Sequence, residues 1–340
     1  MSKLSLKQVM TKGVYFYVPT VPSDPQKMDH VTECLAVGLH RLGVPLFCNI
    51  ETPHSRQRDL KAMGSHLYVM NVTEKNYSPT LMKAFESFAA PHKVILCMAD
   101  IAGIIFTPDG LPSLMTHENQ FRRVRGRRIP WAFGLSERTL QETAPEVPFD
   151  QRKNVIIRNF RPSGNQEVRN ALDLMLLDHL QDHFTIDREI NANHNERLLS
   201  SLGCLAYGGS FSDDLTKNPY FAAQPSVKSV FDQITFRQPV AIVRWDSWRW
   251  WESLAAGCLT FHLDFDKYGF ALPVMPKAWE HYIPIDLADP KGTVDRLMAE
   301  RPRWAGIAAN GRQWARTHYS CEAAARRLLD YVEHNVLFPA

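Results

Sequence analysis

Pro239-Val240-Ala241-Ile242-Val243-Arg244-Trp245-Asp246-Ser247-Trp248-Arg249-Trp250-Trp251-Glu252-Ser253-Leu254-Ala255-Ala256-Gly257-Cys258-Leu259-Thr260-Phe261-His262-Leu263-Asp264 is the stretch on which the fold turns. Pro239 to Trp245 is apolar and β-branched and reads as a strand. Trp250 to Ala256 reads as a helix, and Gly257 ends it in a tight turn. Leu259 to Asp264 then reads as the next strand. A helix between two apolar strands signals a parallel sheet covered by helices.

Working outward, the same alternation continues on both sides. Downstream come a strand, Tyr282 to Leu287, and three helical segments, the last capped by Ser320. Upstream lie a strand at Asn154 to Phe160, a long helix at Asn165 to His183 and a strand at Phe184 to Ile190. A helix at Asn195 to Leu202 and a strand at Cys204 to Gly208 complete that half. Glu142 to Asp150 contains Pro145 and Pro148, has little periodicity and reads as a linker.

Before the linker, strands are expected at Gly13 to Pro19, Pro45 to Ile50, His66 to Val72, Lys93 to Met98 and Ile129 to Leu135. Asp29 can cap a helix whose Val31, Cys34, Leu35, Val37 and Leu39 recur at helical spacing, and Ser78 to Ala89 forms another. The chain has 340 residues, about two domains at roughly 150 residues each. The expected division is 1–145 and 151–318, with a further helix at 320–335.

Composition removes several classes. Apolar residues are 45% and charged residues 22% of the chain, which excludes a disordered chain, a collagen and a disulfide-dense mini-protein. The net charge of +3 supplies no overall attraction to nucleic acid or membrane. No apolar run reaches the ~18 residues of a membrane span. The first seven residues lack the apolar core of a signal peptide, so the expected location is cytoplasmic. The six cysteines are scattered, with no C-x-x-C pair for zinc or redox work.

The opening stretch also carries chemistry. A helix N-terminus binds phosphate through its free N–H groups. The Ser247 hydroxyl and the Arg249 fork add directed donors. Glu252, one turn on, can accept hydrogen bonds from the two hydroxyls of a ribose, as acidic residues do in other nucleotide sites. Of the four tryptophans, core packing is the plain reading, and stacking of one on a base or sugar is the functional one.

Ser247-Trp248-Arg249-Trp250-Trp251-Glu252-Ser253-Leu254-Ala255-Ala256-Gly257-Cys258 resembles the donor-binding motif of GT-B glycosyltransferases, and most of all the exostosin-like and CAP10-like (lipopolysaccharide-modifying) families. His281-Tyr282-Ile283-Pro284-Ile285-Asp286, Gly311-Arg312-Gln313-Trp314-Ala315 and Tyr319-Ser320 resemble later segments of the CAP10-like group. The likeness covers residues 239 to 335.

It implies an α/β chain of GT-B type, two Rossmann-like domains with parallel sheets facing an interdomain cleft. By that resemblance the first domain binds the acceptor, the second binds a nucleotide-diphosphate sugar, and the last helix crosses back to the first domain. Glu252 would hold the donor ribose, and Ser247 and Arg249 the diphosphate. Arg244 stands where retaining enzymes often place a second glutamate. That departure favours an inverting reaction.

Further candidates come from position. Arg158 and Arg161 follow the Asn154 to Phe160 strand and could offset leaving-group charge in place of a metal. Gly208 and Gly209 allow close backbone approach to a ligand. Asp264-Phe265-Asp266 is a short D-x-D. It follows a late strand in a chain that resembles GT-B, so the resemblance implies no metal there, and Asp264 and Tyr268 are placed near the donor sugar. Asp100 and His30 are the candidate bases for the acceptor hydroxyl. Arg122, Arg123, Arg125, Arg127 and Arg128 form a basic run, either a solvated turn or a patch for an acidic acceptor, an anionic membrane or nucleic acid.

The expected activity is metal-independent transfer of a sugar from a nucleotide-diphosphate sugar, a co-substrate, to an acceptor hydroxyl, with no other cofactor. The acceptor stays open among glycan, lipid-linked glycan and nucleic acid, and peripheral membrane contact is compatible. Two alternatives remain: a nucleotide-sugar 2-epimerase of the same fold, and a nucleic-acid-binding or DNA-glycosylating protein using the arginine run.

Overall fold

The computed structural model describes residues 4–19, 27–59, 67–73, 79–88, 90, 92–98, 111–120, 127–160, 167–190, 193–211 and 242–338. The chain divides into two compact units. Unit 1 takes 1–116, 123–137 and 318–340. Unit 2 takes 117–122 and 138–317.

Unit 1 begins with helix α1 (Leu6–Lys12) and strand β1 (Val14–Tyr17), followed by α2 (His30–Arg41), β2 (Leu46–Cys48) and β3 (Arg56–Gln57). Next come β4 (Leu67–Thr73), α3 (Pro79–Ser87), β5 (Lys93–Met98), β6 (Ser113–Met115) and β7 (Arg128–Pro130). The seven strands form one parallel sheet in the order β3-β2-β1-β4-β5-β6-β7. Val14 pairs with Leu46 on one side and Leu67 on the other.

Both faces of the sheet are covered, so whole strands are apolar. All four residues from Val94 to Cys97 are buried, as parallel sheets require. Two strands, β3 and β6, were not legible beforehand, because two or three residues carry no readable period. The expected strand at Ile129 to Leu135 shrinks to β7.

Asp29 caps α2, accepting from the Thr32 N–H at 2.9 Å, and the Asn71 amide donates to its other oxygen. Burial raises its carboxyl to about 7 from an ordinary 3.8, against the lowering effect of the backbone donors Thr32 and Val31. An acid with a raised folded pKa binds a proton on folding, so stability falls as pH rises from near 4 to near 7. The slope is at most about 1.4 kcal/mol per pH unit. Asp29→Asn keeps a capping acceptor and is expected to flatten the decline of Tm across that window. An unchanged slope would show that Asp29 ionises there as it does in the unfolded chain.

Unit 2 contains α4 (Glu137–Glu142), β8 (Lys153–Ile157), α5 (Glu167–Met175), α6 (Leu177–Gln181), β9 (Thr185–Asp187), α7 (His194–Ser200) and β10 (Ser201–Leu205). It continues through β11 (Ser210–Phe211), β12 (Ile242–Val243), α8 (Trp248–Ala256), β13 (Leu259–Leu263), β14 (Ile283–Ile285), α9 (Pro290–Ala299) and α10 (Trp304–Tyr319). Five strands make a parallel sheet in the order β14-β13-β10-β8-β9. The final helix, α11 (Cys321–Glu333), is capped by Ser320 and packs on α2 in unit 1.

Two expectations are corrected here. The long helix at Asn165 to His183 is two helices, α5 and α6, meeting at the buried Leu176. The strand at Pro239 to Trp245 does not join the main sheet. Its described part, β12, pairs antiparallel with β11 in a separate two-stranded ribbon.

An aromatic core fills the space behind α8. The Trp245 ring stacks on Phe270 at 4.7 Å, and Trp250 lies against His262, Phe265 and Tyr282. Trp251 stacks on Trp314 at 5.9 Å. Three of the four tryptophans therefore pack, and Trp248 at the helix start is 40% exposed. A short segment stitches the same loop from outside. Asn119 donates to the Ile242 and Tyr268 carbonyls, His117 Nδ1 accepts from the Asp246 N–H, and the Trp245 indole donates to the Glu118 carbonyl.

Candidate functional site

The unit 2 sheet has a topological switch. From β8 the chain runs to β9 on one side, then returns to β10 on the other. In open parallel sheets ligands bind outside the carboxyl ends of the strands at such a point. The loops that leave those ends carry Arg158, Asn159 and Phe160 after β8, and Ala206 to Gly209 after β10.

The N-terminus of α8 is pinned to both loops. The Ser247 hydroxyl does not cap its own helix but donates to the Ala206 carbonyl at 3.3 Å. Arg249 Nε donates to the Asn159 carbonyl. Its two terminal nitrogens meet no protein partner among the described residues. Burial holds this guanidinium below its ordinary value, with Cys204 and then Glu252 acting in the other direction. A buried cation without a carboxylate partner is costly unless a ligand supplies the anion.

Glu252, one turn along α8, is held by a chain of side chains. Asn159 Nδ2 donates to His194 Nδ1 at 2.9 Å, which places the ring proton on Nε2, 3.2 Å from Glu252 Oε2. The other carboxylate oxygen, Oε1, has no protein partner among the described residues. The carboxylate is thus oriented through one oxygen and open through the other. Asn159 and His194 were not legible as site residues: His194 lies 58 positions before Glu252, and only the fold of α7 against α8 joins them.

The remaining sequence candidates fall elsewhere or play other parts. Arg158 is 7% exposed, pairs with Asp173 through Nε at 3.0 Å and through Nη2, and lies over the Phe160 ring at 4.3 Å. Asp173 raises its guanidinium above the ordinary value. Its donors are committed inside the unit, so Arg158 serves packing in this structure. Breaking a buried pair costs roughly 3–5 kcal/mol. Asp173→Ala is therefore expected to lower Tm strongly, while Asp178→Ala, on the exposed side, leaves it near the wild-type value.

Gly208 faces the Arg169 guanidinium, where an added Cβ would lie 3.1 Å from Nη2. Gly209 has φ +130°, and an added Cβ would sit 2.6 Å from Ile242 Cγ2. Both glycines thus fit protein groups closely. Arg244 takes a left-handed φ of 58° at the end of β12. Burial, with the Arg244 charge adding to it, pushes His117 down to about 3.

Asp264 accepts from the Lys267 N–H in a turn, and the Tyr268 hydroxyl bridges Asp286 and the Leu287 N–H. Tyr268 is 6% exposed, so the D-x-D segment closes a turn after β13. His30 opens α2 in unit 1, with Nε2 3.4 Å from the Gly134 carbonyl and 3.6 Å from Cys34 Sγ. The unit 1 sheet has its own switch point between β1 and β4, and α2 is the helix that follows β1.

Arg127 and Arg128 lead into β7 and are half-buried rather than in a solvated turn. Asp100, Arg161, Arg122, Arg123 and Arg125 lie outside the described residues. Among the described residues no group of three or more His, Cys, Asp and Glu side chains is placed to hold a metal, and no helix is long and apolar enough to cross a membrane.

No protein-family model matches the sequence, and a search of curated proteins gives no match. Solved structures do match. A glycosyltransferase from Rickettsia africae aligns over 95% of this chain and 98% of its own, at 10% identity and a TM-score of 0.51. AviGT4, a glycosyltransferase of avilamycin A biosynthesis, aligns over 96% and 98% at 10% identity, TM-score 0.48. Anabaena HepE in complex with UDP-glucose aligns over 94% and 99% at 10% identity, TM-score 0.45. At this identity the likeness establishes the fold, an α/β chain of GT-B type with two parallel sheets.

Proposed function

We propose that the chain is a glycosyltransferase that moves a sugar from a nucleotide-diphosphate sugar to an acceptor hydroxyl, with inversion and without a metal ion. One observation carries the reading: Arg249 offers two unpartnered guanidinium nitrogens in the first turn of α8, beside a carboxylate that His194 orients and leaves half open. A diphosphate would give Arg249 a charge partner in place of the hydration that burial removes. The two ribose hydroxyls would donate to the open oxygen of Glu252. The resemblance of Ser247 to Cys258 to the exostosin-like and CAP10-like donor motif supports the same assignment.

The chemistry follows from charge. As the glycosidic bond breaks, negative charge grows on the diphosphate. Arg249 and the N-terminal end of α8 stabilise that charge where it develops. Arg169, which donates to the Tyr207 carbonyl, and Arg244, whose carbonyl lies beside Gly208, take the part first assigned to Arg158. Trp248 is placed to stack on the base or sugar. Unit 1 supplies the base that removes the acceptor proton, Asp100 or His30, and the arginine run 122–128 holds an anionic acceptor.

The test is a thermal-shift panel of nucleotide-diphosphate sugars, with and without a chelator. One donor should stabilise the protein equally in both conditions. Stabilisation that disappears with chelator would overturn metal independence. Sugar-nucleotide interconversion in the absence of any acceptor would identify a 2-epimerase instead.

A further inference from the structure

Unit 2 contains a second cavity, of about 850 Å³, at the far end of α8. The helix has nine residues, so the two ends are separated by about 13 Å at 1.5 Å per residue. Three guanidinium groups line this cavity, Arg152, Arg312 and Arg316, against one carboxylate, Glu146, which is 80% exposed. The remaining wall is small and apolar, with Ala305 and Ala309 of α10 on one side and Phe149 on another.

Part of this arrangement has a structural purpose. Arg152 Nη2 donates to the Ala256 carbonyl at 2.7 Å, and Arg312 Nε and Arg316 Nε donate to the Ala255 carbonyl at 3.1 and 3.3 Å. These bonds satisfy the C-terminal carbonyls of α8 and its negative dipole end. They explain why the arginines gather there. Further donors go to the segment before β8: Arg152 Nε to the Val147 carbonyl, Arg312 Nη2 to the Thr143 and Ala144 carbonyls, and Arg316 Nη2 to Thr143. Arg316 Nη1 has no partner among the described residues, and Arg312 Nη1 meets only the exposed Glu146 carboxylate. Burial and the neighbouring Arg312 charge hold both Arg152 and Arg316 below their ordinary values.

We propose that this cavity binds a phosphate-bearing small molecule, its phosphoryl group accepting from Arg316 Nη1 and, in place of the exposed Glu146, from Arg312 Nη1, with its body against Ala305, Ala309 and Phe149. Two guanidinium groups one turn apart on α10 suit an oxyanion with several acceptor oxygens. Their attachment to the α8 carbonyls holds them in place before the ligand arrives, which lowers the entropy cost of binding.

Inorganic pyrophosphate is the probe, titrated calorimetrically into the full chain carrying Arg249→Ala, which removes the candidate donor-phosphate contact at the other end of α8. Saturable binding is expected to persist in that variant. Adding Ala309→Glu places a carboxylate on an exposed wall position, which folding tolerates, and should weaken binding at least about tenfold, or 1.4 kcal/mol. Arg316→Gln should act in the same direction. Absence of saturable binding in the Arg249→Ala protein, or binding that Ala309→Glu leaves unchanged, would overturn the proposal. Neither result bears on the donor assignment, which the nucleotide-sugar panel tests on its own.

Discussion

Glu252→Ala is expected to reduce nucleotide-sugar turnover by roughly 10²–10⁴-fold in kcat/KM, the loss of two charge-assisted hydrogen bonds at about 1.5–3 kcal/mol each. The argument rests on how the carboxylate is held. His194 donates to one oxygen and is itself fixed by Asn159. The other oxygen is therefore presented in one orientation at the carboxyl edge of the sheet. Truncation removes the acceptor proposed for the ribose and leaves the His194 proton without its Glu252 partner, while the packed side of α8 is untouched. Binding of the free nucleoside diphosphate should weaken in parallel, with Tm shifted by only a few degrees. Glu252→Gln retains an oxygen for His194 and should fall between wild type and alanine. Wild-type turnover and nucleotide binding in Glu252→Ala would remove Glu252 from the site.

The second large effect concerns stability. Gly38 lies where α2 meets the start of α11, and a Cβ added there would sit 1.9 Å from the Cys321 carbonyl oxygen and 2.9 Å from Ala325 Cβ. The obstacle is backbone, which cannot rotate away as a side chain can. The two helices would have to separate, opening a contact that buries Val37, Cys34 and Cys321. Overpacking ordinarily costs 1–3 kcal/mol. Gly38→Val adds the loss of this helix contact and is expected to exceed about 3 kcal/mol, read as a lower midpoint in urea denaturation. Gly306→Ala is the control: its added Cβ meets nothing within 4 Å, so it should be neutral or slightly stabilising through helix propensity. A Gly38→Val midpoint equal to wild type would mean that the α2–α11 contact contributes little to unit 1.

The legible parts of this protein are those decided within a few residues of each other. The strand, turn and helix from Trp248 to Leu263 could be read directly, because the apolar run, Gly257 and the β-branched residues after it act locally. Asp29 and Ser320 were recognisable as caps for the same reason: the acceptor lies three residues from the N–H it satisfies. The phosphate and ribose roles proposed for Arg249 and Glu252 start from the same kind of local pattern, charged side chains at the start of a helix.

Failures occurred where a long-range partner decides. Arg158 reads as a free cation after a strand, but α5 brings Asp173 onto it from fifteen residues away. An apolar stretch such as Ile242–Val243 satisfies its backbone equally well in a central sheet or in a ribbon with β11, and nothing in its own residues chooses between them. His194 and Asn159 carry no motif. They become site residues only because β8, α7 and α8 converge at one edge of the sheet.

By itself, then, the sequence determined the α/β alternation and the helix caps, since hydrogen bonds and hydrophobic periodicity over a few residues suffice for each. Tertiary structure alone decided which charges are committed and which are open. Arg158 is neutralised by Asp173, Arg249 keeps two nitrogens unpartnered among the described residues, and Glu252 is oriented through His194. The availability of a charge depends on what the fold buries beside it, and that is set by residues distant in the chain.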